Sequence, residues 1–326
     1  MKKLFLAIAL LASVASCTKD DVINQDKEEI GFGGPFIENS TKAAVDPSYV
    51  TTDDQTKNNL TSFKVYGTVK DVNIFNGNTV SKGSSAYETA AWSCDGATQY
   101  WVAGANYIFD AVVDATTVNT DINTGLPVSL SYTASTQKDM LHNRVTTTGK
   151  PTTNNGLVTF SFTHLLSKVK FTVENTTEET ATNYRYTVTG ITITNAYTDG
   201  KYAVVAQKDS KSNDVAEKTW FDQTIGTQSI ADMTIASKTI EECATEVLLI
   251  PGATVGVSFN VNVQVKSGDN WVTISSTPVT KTGVVTLQAN NAYNFQVTVG
   301  LNNKIEFTAT TLPTWTTNAD ENITIQ

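Results

Sequence analysis

The chain of 326 residues is poor in the residues that build metal centres and disulfide-rich folds, with three cysteines, two histidines and seven prolines. So few sulfur and imidazole ligands exclude zinc fingers, iron–sulfur sites and scaffolds held by several disulfides. Only 17% of the residues are charged, and the formal net charge is -9. This acidic balance excludes nucleic acid as a partner, because phosphate contacts need clustered lysine and arginine.

Catalytic motifs are missing as well: there is no G-x-S-x-G, no H-E-x-x-H and no phosphate-binding loop. His164 follows Phe160 and Phe162 at alternating positions, which favours a hydrogen-bonded, half-buried histidine over a catalytic one. His142 has no evident base or ligand partner in the sequence. A catalytic site needs several groups with matched roles, and the sequence offers none. We therefore expect no enzyme, no metal site and no cofactor.

What the chain does have is the composition and pattern of β-strands. About 50 residues are threonine, which favours strands, and hydrophobic residues make up 40% of the chain. Apolar and polar residues alternate, most clearly over 255–265 and 293–301, as is typical of antiparallel strands with one buried face. No long window has the 3.6-residue period of a helix. The predicted fold class is all-β, of the β-sandwich type.

The alternation changes phase once within one apolar stretch. Apolar residues follow one phase over 158–166 and the other over 169–173. Because a slip of one residue turns every later side chain to the opposite face, residues 165–168 are either a bulge or a crossover between two domains. The polar stretch before this strand is the predicted boundary. The predicted domains are an N-terminal β-sandwich over 49–156 and a C-terminal β-sandwich over 157–326.

The N-terminus has the pattern of an export signal. Two lysines precede an apolar run of about a dozen residues, too short for a bilayer span but typical of a secretory signal. The run ends in Val14-Ala15-Ser16-Cys17, which resembles a bacterial lipobox. The resemblance implies a signal peptide over 1–16, cleavage between Ser16 and Cys17, and stable anchoring by acyl chains on Cys17. The alternative is a plain signal peptide in which Cys17 is incidental.

The residues after Cys17 resemble a localisation signal. Lys19-Asp20-Asp21 resembles the export signal of Bacteroidetes lipoproteins, which implies display on the outer surface of the outer membrane. The alternative is a solvated acidic tether.

Two further cysteines, Cys94 and Cys243, lie in different predicted halves, which favours two separate thiols over a disulfide bridge.

A series of motifs resembles a single family. The segment Phe-Ser-Phe-Thr-His-Leu-Leu-Ser-Lys-Val-Lys-Phe-Thr-Val over 160–173 is similar to the central signature of the fimbrillins, the pilin subunits of Bacteroidetes type V pili. Residues 100–111, 248–252 and 289–299 resemble other strands of that family. The resemblance covers essentially the whole chain from about residue 30. It implies two tandem transthyretin-like β-sandwich domains after a lipoprotein signal peptide.

The same resemblance implies assembly by strand exchange. A trypsin-like protease removes the first strand of the precursor, and a strand of a neighbouring subunit fills the exposed groove. Repetition of this head-to-tail contact gives an open filament rather than a ring. Residues 17–48 are predicted to hold the lipidated tether and the removable strand, whose apolar residues are Ile30, Phe32, Phe36 and Ile37.

The predicted maturation cut lies between Lys42 and Ala43, because Lys42 is the only basic residue of the polar stretch over 39–44. The alternative is an uncut subunit that keeps its lipid. The candidate donor strands are two short alternating segments with apolar residues Ile305, Phe307, Ile323 and Ile325. The alternative for both segments is that they complete the C-terminal sandwich of their own chain.

The function that this pattern predicts is a structural pilus subunit at the cell surface that supports adhesion. Its predicted partners are copies of itself or other fimbrillins, the maturation protease, and a receptor on a host or bacterial surface. The alternatives are a tip adhesin and a monomeric glycan-binding lipoprotein. In the last case Trp92, Tyr100 and Trp101 would stack on a sugar ring, although packing in a core or at its rim is the commoner role of such residues.

Overall fold

The computed structural model of the chain describes residues 28–38, 50–51, 54–58, 60–82, 91–176, 184–235, 240–242, 246–299, 305–312 and 323–324. These residues form strands almost throughout, with two 3-10 turns at Ala134–Thr136 and Asn154–Gly156 and no α-helix. The prediction of an all-β fold is confirmed. Within the same ranges, no helix is long and apolar enough to cross a membrane.

The strands are longest in the second half of the chain. In chain order they begin with β1 (Phe32–Gly33), β2 (Phe36–Glu38), β3 (Val50–Thr51), β4 (Asp54–Asn58), β5 (Ser62–Val69), β6 (Val72–Ser81), β7 (Ala91–Cys94), β8 (Asn106–Val113), β9 (Thr117–Thr120), β10 (Pro127–Thr133), β11 (Leu141–Thr148), β12 (Ser161–His164) and β13 (Ser167–Asn175). They continue with β14 (Tyr184–Ala203), β15 (Gln207–Lys208), β16 (Asp214–Val215), β17 (Trp220–Ser229), β18 (Met233–Ile235), β19 (Ile240–Glu242), β20 (Val247–Leu249), β21 (Thr254–Ser267), β22 (Asn270–Thr286), β23 (Ala292–Val299), β24 (Ile305–Leu312) and β25 (Ile323–Thr324).

Three larger sheets organise these strands. The first sheet has the spatial order β1-β7-β6-β5-β8-β11-β12-β2. The second has the order β22-β21-β14-β10-β9, with β17 and β18 also paired to β14. The third has the order β19-β13-β23-β24-β25, with β20 also paired to β13. Two small hairpins, β3–β4 and β15–β16, complete the described strands.

Two hydrophobic clusters fill the interior, and burial of their apolar surface is the main stabilising contribution to such a fold. The first cluster belongs to the first sheet and contains Phe63 and Phe109. The second joins residues of the second and third sheets, among them Phe171 and Phe259. Strand β8 contributes to both, because its alternate side chains face opposite ways: Phe109 lies in the first cluster and Val112 in the second.

The phase slip marks a crossover between sheets. Strand β12 pairs with β11 in the first sheet, whereas β13 pairs with β23 in the third. The chain therefore leaves one sheet for another at Leu165 and Leu166, which are both buried. Strand β10 in turn joins the second sheet through β14. Sheet membership thus crosses the predicted boundary, and the domain limits 49–156 and 157–326 stay a prediction.

The clearest alternation gives the predicted hairpin. Strands β21 and β22 pair antiparallel around a turn at residues 268–269, and the apolar residues of β21 from Val255 to Val263 are buried. Among the strands that the structure describes, two pairs are parallel instead, β2 with β12 and β13 with β23. The alternation did not predict these, because it records which face of a strand is buried and not which neighbour the strand has.

Candidate functional site at the first strand segment

The segment over 28–38, called here the closing segment, supplies both ends of the first sheet. Its strand β1 pairs antiparallel with β7, with Phe32 opposite Trp92. Its strand β2 pairs parallel with β12, with Ile37 opposite Phe162. Because β1 and β2 are consecutive in the chain, a single stretch bridges the two edges that the other six strands leave open.

Backbone hydrogen bonds hold the closing segment to both edges. On the β7 side, the N–H of Ile30 donates to the carbonyl of Gln99 at 2.8 Å, and the N–H of Trp101 donates to the carbonyl of Glu28 at 2.9 Å. On the β12 side, three bonds of 2.9 Å connect the segment to the stretch of chain just before β12. They run from Gly33 N to Val158 O, from Val158 N to Gly31 O, and from Phe36 N to Phe160 O. A removed segment would therefore leave unpaired groups on two edges.

The apolar side chains of the closing segment lie in the first core. Phe32 and Ile37 are completely buried, and Ile30 is 7% exposed. The ring of Phe32 packs edge-on against Phe75 and Phe109, with centroids 5.3 and 6.0 Å apart. It also stacks on the ring of Phe160 at 6.2 Å. Phe32 is thus a central member of an aromatic cluster, as expected for a side chain that fills a groove.

The middle of the closing segment is shaped by small residues. Gly33 and Gly34 are buried, and Pro35 after them has no N–H to give to a ladder. Gly31 lies against Leu157, whose Cδ2 would be 2.8 Å from a Cβ at that glycine. The backbone therefore passes close to the neighbouring stretch of chain without a regular ladder.

The outer end of the closing segment is at the surface. Here the Lys150 ammonium lies 2.9 Å from the Glu28 carboxylate, and both side chains are well exposed to solvent. Exposed pairs of this kind contribute little to stability. The predicted processing residues are Ser16, Cys17, Lys42 and Ala43, and all four lie outside the described residues.

The candidate donor strands lie in the third sheet of their own chain. Strand β24, with Ile305 and Phe307, pairs antiparallel with β23 through eight residue pairs. Phe307 packs 5.8 Å from Phe295 and 6.2 Å from Phe259. Strand β25, with Ile323, pairs with β24 through two residue pairs. Ile325 lies outside the described residues.

The three aromatic residues considered for sugar stacking are not presented together. Trp92 is 4% exposed and packs 5.9 Å from Phe63 in the first core. Trp101 is half-buried and packs edge-on against Tyr107 at 4.7 Å. Tyr100 is 41% exposed. Two of the three rings are thus engaged in packing within the chain, which is the commoner role of such residues.

Both histidines have carboxylate partners, and sequence reasoning missed the one at His142. The Nδ1 atom of His164 lies 2.7 Å from Oδ2 of Asp139, as expected for a hydrogen-bonded histidine. The Nε2 atom of His142 lies 2.8 Å from Oδ1 of Asp110. Asp110 is completely buried and also receives a two-pronged contact from Arg144, with Nη2 at 2.8 Å from Oδ2.

The sequence signal for the cluster of Asp110, His142 and Arg144 was an aspartate within the apolar strand β8, on the face opposite to Phe109. Asp110 has the parity of Val112, whose side chain lies in the second core, so the carboxylate faces the second sheet. Arg144 also donates to the carbonyl of Pro127 in β10 at 3.4 Å. The cluster thus connects two sheets and has no nucleophile in it. Among the described residues, no group of three or more histidine, cysteine, aspartate or glutamate side chains could hold a metal ion.

Cys94 is a free thiol on β7, the strand next to the closing segment. It is half-buried and lies 3.4 Å from the carbonyl of Asp95. Burial, and after it the charge of Asp95, raises the pKa of this thiol to about 11. Cys243 lies outside the described residues.

Comparison with known proteins shows which proteins the chain resembles in sequence and in fold. A family model described as fimbrillin-like matches residues 48–315. A fimbrial protein from Bacteroides vulgatus has a similar fold, with a TM-score of 0.53, 13% identity, and coverage of 88% of this chain and 99% of that one. No curated protein matches the sequence.

Two further solved structures resemble the chain more loosely. A candidate cell adhesion protein from Bacteroides uniformis has a TM-score of 0.49 and 17% identity, with 88% of this chain and 100% of that one covered. Another from Bacteroides ovatus has a TM-score of 0.48 and 16% identity, with 90% and 99% covered. The family match covers most of the sequence. On that match, the chain belongs to the fimbrillin-like family.

Proposed function

We propose that this chain is a structural subunit of a pilus that assembles by strand exchange at the cell surface and supports adhesion. The observation that carries the proposal is the closing segment, which bridges both edges of the first sheet and buries Phe32 and Ile37 completely. Family membership and the fimbrial fold neighbour support the pilus role. The proposed role is structural, without catalysis.

The first step of the proposal is removal of the closing segment. Lys42 follows Glu38, the last residue of β2, by four positions. A cut between Lys42 and Ala43 by a trypsin-like protease therefore separates the whole segment from the remaining sheet. Its departure leaves the edges of β7 and β12 unpaired and the aromatic cluster open on one side, a site suited to β-strand addition.

The second step is filling of this groove by a strand of another subunit. Of the two candidates, β24 is held by eight residue pairs to β23, whereas β25 has two pairs among the described residues. The segment with Ile323 and Ile325 is thus the cheaper one to detach, because fewer ladder bonds are lost. We infer that it is the donor and that β24 stays in its own sheet. Head-to-tail repetition then gives an open filament.

Before maturation, the proposal places the protein on the outer face of the outer membrane, anchored by lipid on Cys17 after cleavage next to Ser16. Its partners are then the protease, other copies or related subunits, and a surface receptor. The glycan-binding alternative has less support, because Trp92 lies in the core and Trp101 packs on Tyr107.

The experiment that tests the proposal is intact-mass analysis and N-terminal sequencing of protein sheared from the surface of native cells. We expect a chain that begins at Ala43, without lipid, in an SDS-resistant ladder. Lys42→Gln should abolish both the new N-terminus and the ladder, and Lys42→Arg should keep both. A chain that still begins at acylated Cys17 would refute the polymerising role.

A further inference from the structure

Arginine occurs at only two positions of this chain, Arg144 and Arg185, although the chain has 23 basic residues. A planar guanidinium differs from a lysine ammonium because it can bind both oxygens of a carboxylate through two parallel N–H groups. Arg144 does this within the chain: its Nε lies 2.9 Å from Oδ1 of Asp110, and its Nη2 lies 2.8 Å from Oδ2. Among the described residues, Arg185 has no carboxylate partner.

Arg185 is nevertheless held in one position. Its Nε donates to Oε1 of Gln264 at 2.5 Å, and Nε2 of Gln264 donates to Oγ1 of Thr273 at 3.1 Å. Its guanidinium carbon lies 4.6 Å from the centre of the Trp271 ring, a cation–π contact. Holding a long side chain in one rotamer costs conformational entropy, which a residue serving only solubility does not need to lose. Because Nε is occupied, the two Nη groups form the open edge of the guanidinium.

The side chains around Arg185 share one face of the second sheet. Arg185, Gln264 and Thr273 are direct neighbours across β14, β21 and β22. Trp271 is opposite Lys266, which follows Gln264 by two residues, so both lie on the same face. The alternate residues of β21 are buried in the core, so this face is the outer one. These five residues, called here the arginine site, are half-buried or exposed and therefore within reach of a ligand.

The charge around the arginine site favours an anion. Strands β21 and β22 and residues 184–198 of β14 contain no acidic residue, although the formal net charge of the chain is -9. Lys266 adds a second positive charge to that of Arg185. A carboxylate placed at the open edge of the guanidinium would therefore meet two cations and no carboxylate from these strands.

The neighbouring part of the face offers amide and hydroxyl groups. Nδ2 of Asn262 lies 3.1 Å from Oγ1 of Thr187 and 3.0 Å from Oγ1 of Thr189. Such groups can both donate and accept hydrogen bonds, as the hydroxyls of a sugar require. Trp271 adds an apolar ring of the kind that packs against the apolar face of a sugar.

An acidic peptide fits this face less well. A sheet recognises an extended peptide mainly through unpaired backbone groups at an edge. Strand β21 is paired with β14 on one side and with β22 on the other, so the arginine site offers side chains alone. A ligand with many hydroxyl groups and one carboxylate matches these side chains better than a peptide backbone does.

We propose that the arginine site binds a carboxylate carried by a sugar ring, as in a uronic or sialic acid of a surface glycan. The two Nη groups of Arg185 bind the carboxylate, Lys266 adds attraction, and Trp271 contacts the ring. The site gives adhesion a ligand class and is distinct from the aromatic residues of the first sheet considered above. It does not depend on strand exchange, because all of its residues belong to the second sheet of one chain.

The presence of only two arginines makes a direct test possible. The full chain labelled with ¹⁵N-arginine gives two Nε signals, of which that of Arg144 is an internal reference. The acidic probes are a hyaluronan hexasaccharide and sialyllactose, and their neutral counterparts are the carboxyl-reduced hexasaccharide and lactose. We expect both acidic probes to move the Arg185 signal with a Kd on the order of 1 mM, and the neutral ones to bind at least about tenfold more weakly.

Variants measure the contribution of the guanidinium, with binding followed through the NMR signals of the probe. Arg185→Lys keeps the charge but loses the paired N–H groups, and should weaken binding of the acidic probes about tenfold. Gln264→Leu removes the acceptor that holds Nε and should weaken binding about threefold. Lys281→Gln removes a positive charge about 30 Å along β22 from Trp271. This variant is the matched control, and its affinity should stay within about twofold of that of the unsubstituted chain.

A hexaglutamate peptide tests the alternative ligand class. If neither acidic saccharide moves the Arg185 signal, the site is refuted. Equal binding of the neutral saccharides would overturn the role of the carboxylate, and equal binding of hexaglutamate would overturn the sugar as the ligand class. Equal affinity of the Arg185→Lys chain would overturn recognition by the guanidinium. Binding of only one acidic saccharide would support the site and identify its sugar. None of these outcomes bears on strand exchange, which N-terminal sequencing tests separately.

Discussion

The closing segment and strand β24 lie at opposite ends of the described chain and are held in different ways. Strand β24 has a continuous ladder of eight residue pairs with β23, while its side chains alternate between half-buried and exposed over much of its length. The closing segment has two pairs in β1 and three in β2, separated by Gly34 and Pro35. Its stability comes from buried side chains, above all Phe32 and Ile37.

The way in which each strand is held decides whether it is suited to exchange. A strand held by its ladder loses backbone hydrogen bonds one after another when it leaves. An incoming strand recovers these bonds only if it pairs in the same register. A strand held by a few buried side chains leaves a groove of defined shape that another apolar strand can fill.

Phe32→Ala should destabilise the uncut chain by about 3–5 kcal/mol, because it removes a completely buried ring from the aromatic cluster. Phe307→Ala on β24 should cost about 1–2 kcal/mol, because this ring is only partly buried. Denaturant unfolding of both variants, followed by tryptophan fluorescence, measures the two values. Equal losses of stability in the two variants would contradict the difference between the closing segment and β24.

The Cys94 thiol should react with iodoacetamide about a hundredfold more slowly than a free thiol at pH 8, because its pKa is raised from 9.0 to about 11. The rate should rise with pH through that value, since the thiolate is the nucleophile. Removal of the closing segment should accelerate the reaction at pH 8, because burial is the main cause of the raised pKa.

This measurement uses a chain with Cys17→Ser and Cys243→Ser, so that Cys94 alone reacts. A chain that also has Cys94→Ser and carries Ala309→Cys on β24 is the matched control, and its rate should be the same before and after cleavage. A Cys94 rate unaffected by removal of the segment would contradict the assigned position of the segment at the β7 edge.

Gly31→Ala should destabilise the chain by about 1–3 kcal/mol, because the added Cβ would lie 2.8 Å from Cδ2 of Leu157. Leu157→Val in the same chain should recover part of the loss by removing the atom in conflict. Thr308→Ala, at an exposed position of β24, should change stability by less than about 0.5 kcal/mol. Thermal unfolding of the four chains separates close packing at the segment from tolerance at β24.

Lys150→Ala should have the smallest effect, below about 0.5 kcal/mol, because its ion pair with Glu28 is exposed to solvent. Thermal unfolding at low and high salt measures it, and the difference between the two chains should vanish at high salt. A larger loss would mean that the outer end of the closing segment, and not its buried rings, holds it in place.

Several parts of the fold could be predicted from the sequence because each depends on a local pattern. Alternation over 255–265 predicted a strand with one buried face, and Val255 to Val263 are buried. The phase slip predicted a discontinuity at 165–168, and the chain changes sheets there. The sequence singled out the apolar residues Ile30, Phe32, Phe36 and Ile37 as a separate strand segment, and strands β1 and β2 lie there.

Other parts could not be predicted, because they depend on which strands become neighbours. His142 seemed to lack a partner because Asp110 is 32 residues away in the sequence, and only the pairing of β8 with β11 brings the two side chains to 2.8 Å. For Trp92 the sequence favoured packing in a core or at its rim over sugar stacking, but only the pairing of its strand with the closing segment shows that it lies opposite Phe32. Pairing between distant strands has no counterpart in a single local window.

The sequence alone is enough to predict that this chain is made of strands, which face of the most regular strands is buried, and where an apolar segment lies between polar flanks. The tertiary structure alone decided that this segment joins two edges at once, that β24 is paired within its own sheet, and that two indole N–H groups lie buried beside the segment. The physical reason is that side-chain periodicity depends on the burial of each strand's faces, which is local. Strand order and register depend on contacts between residues far apart in the chain.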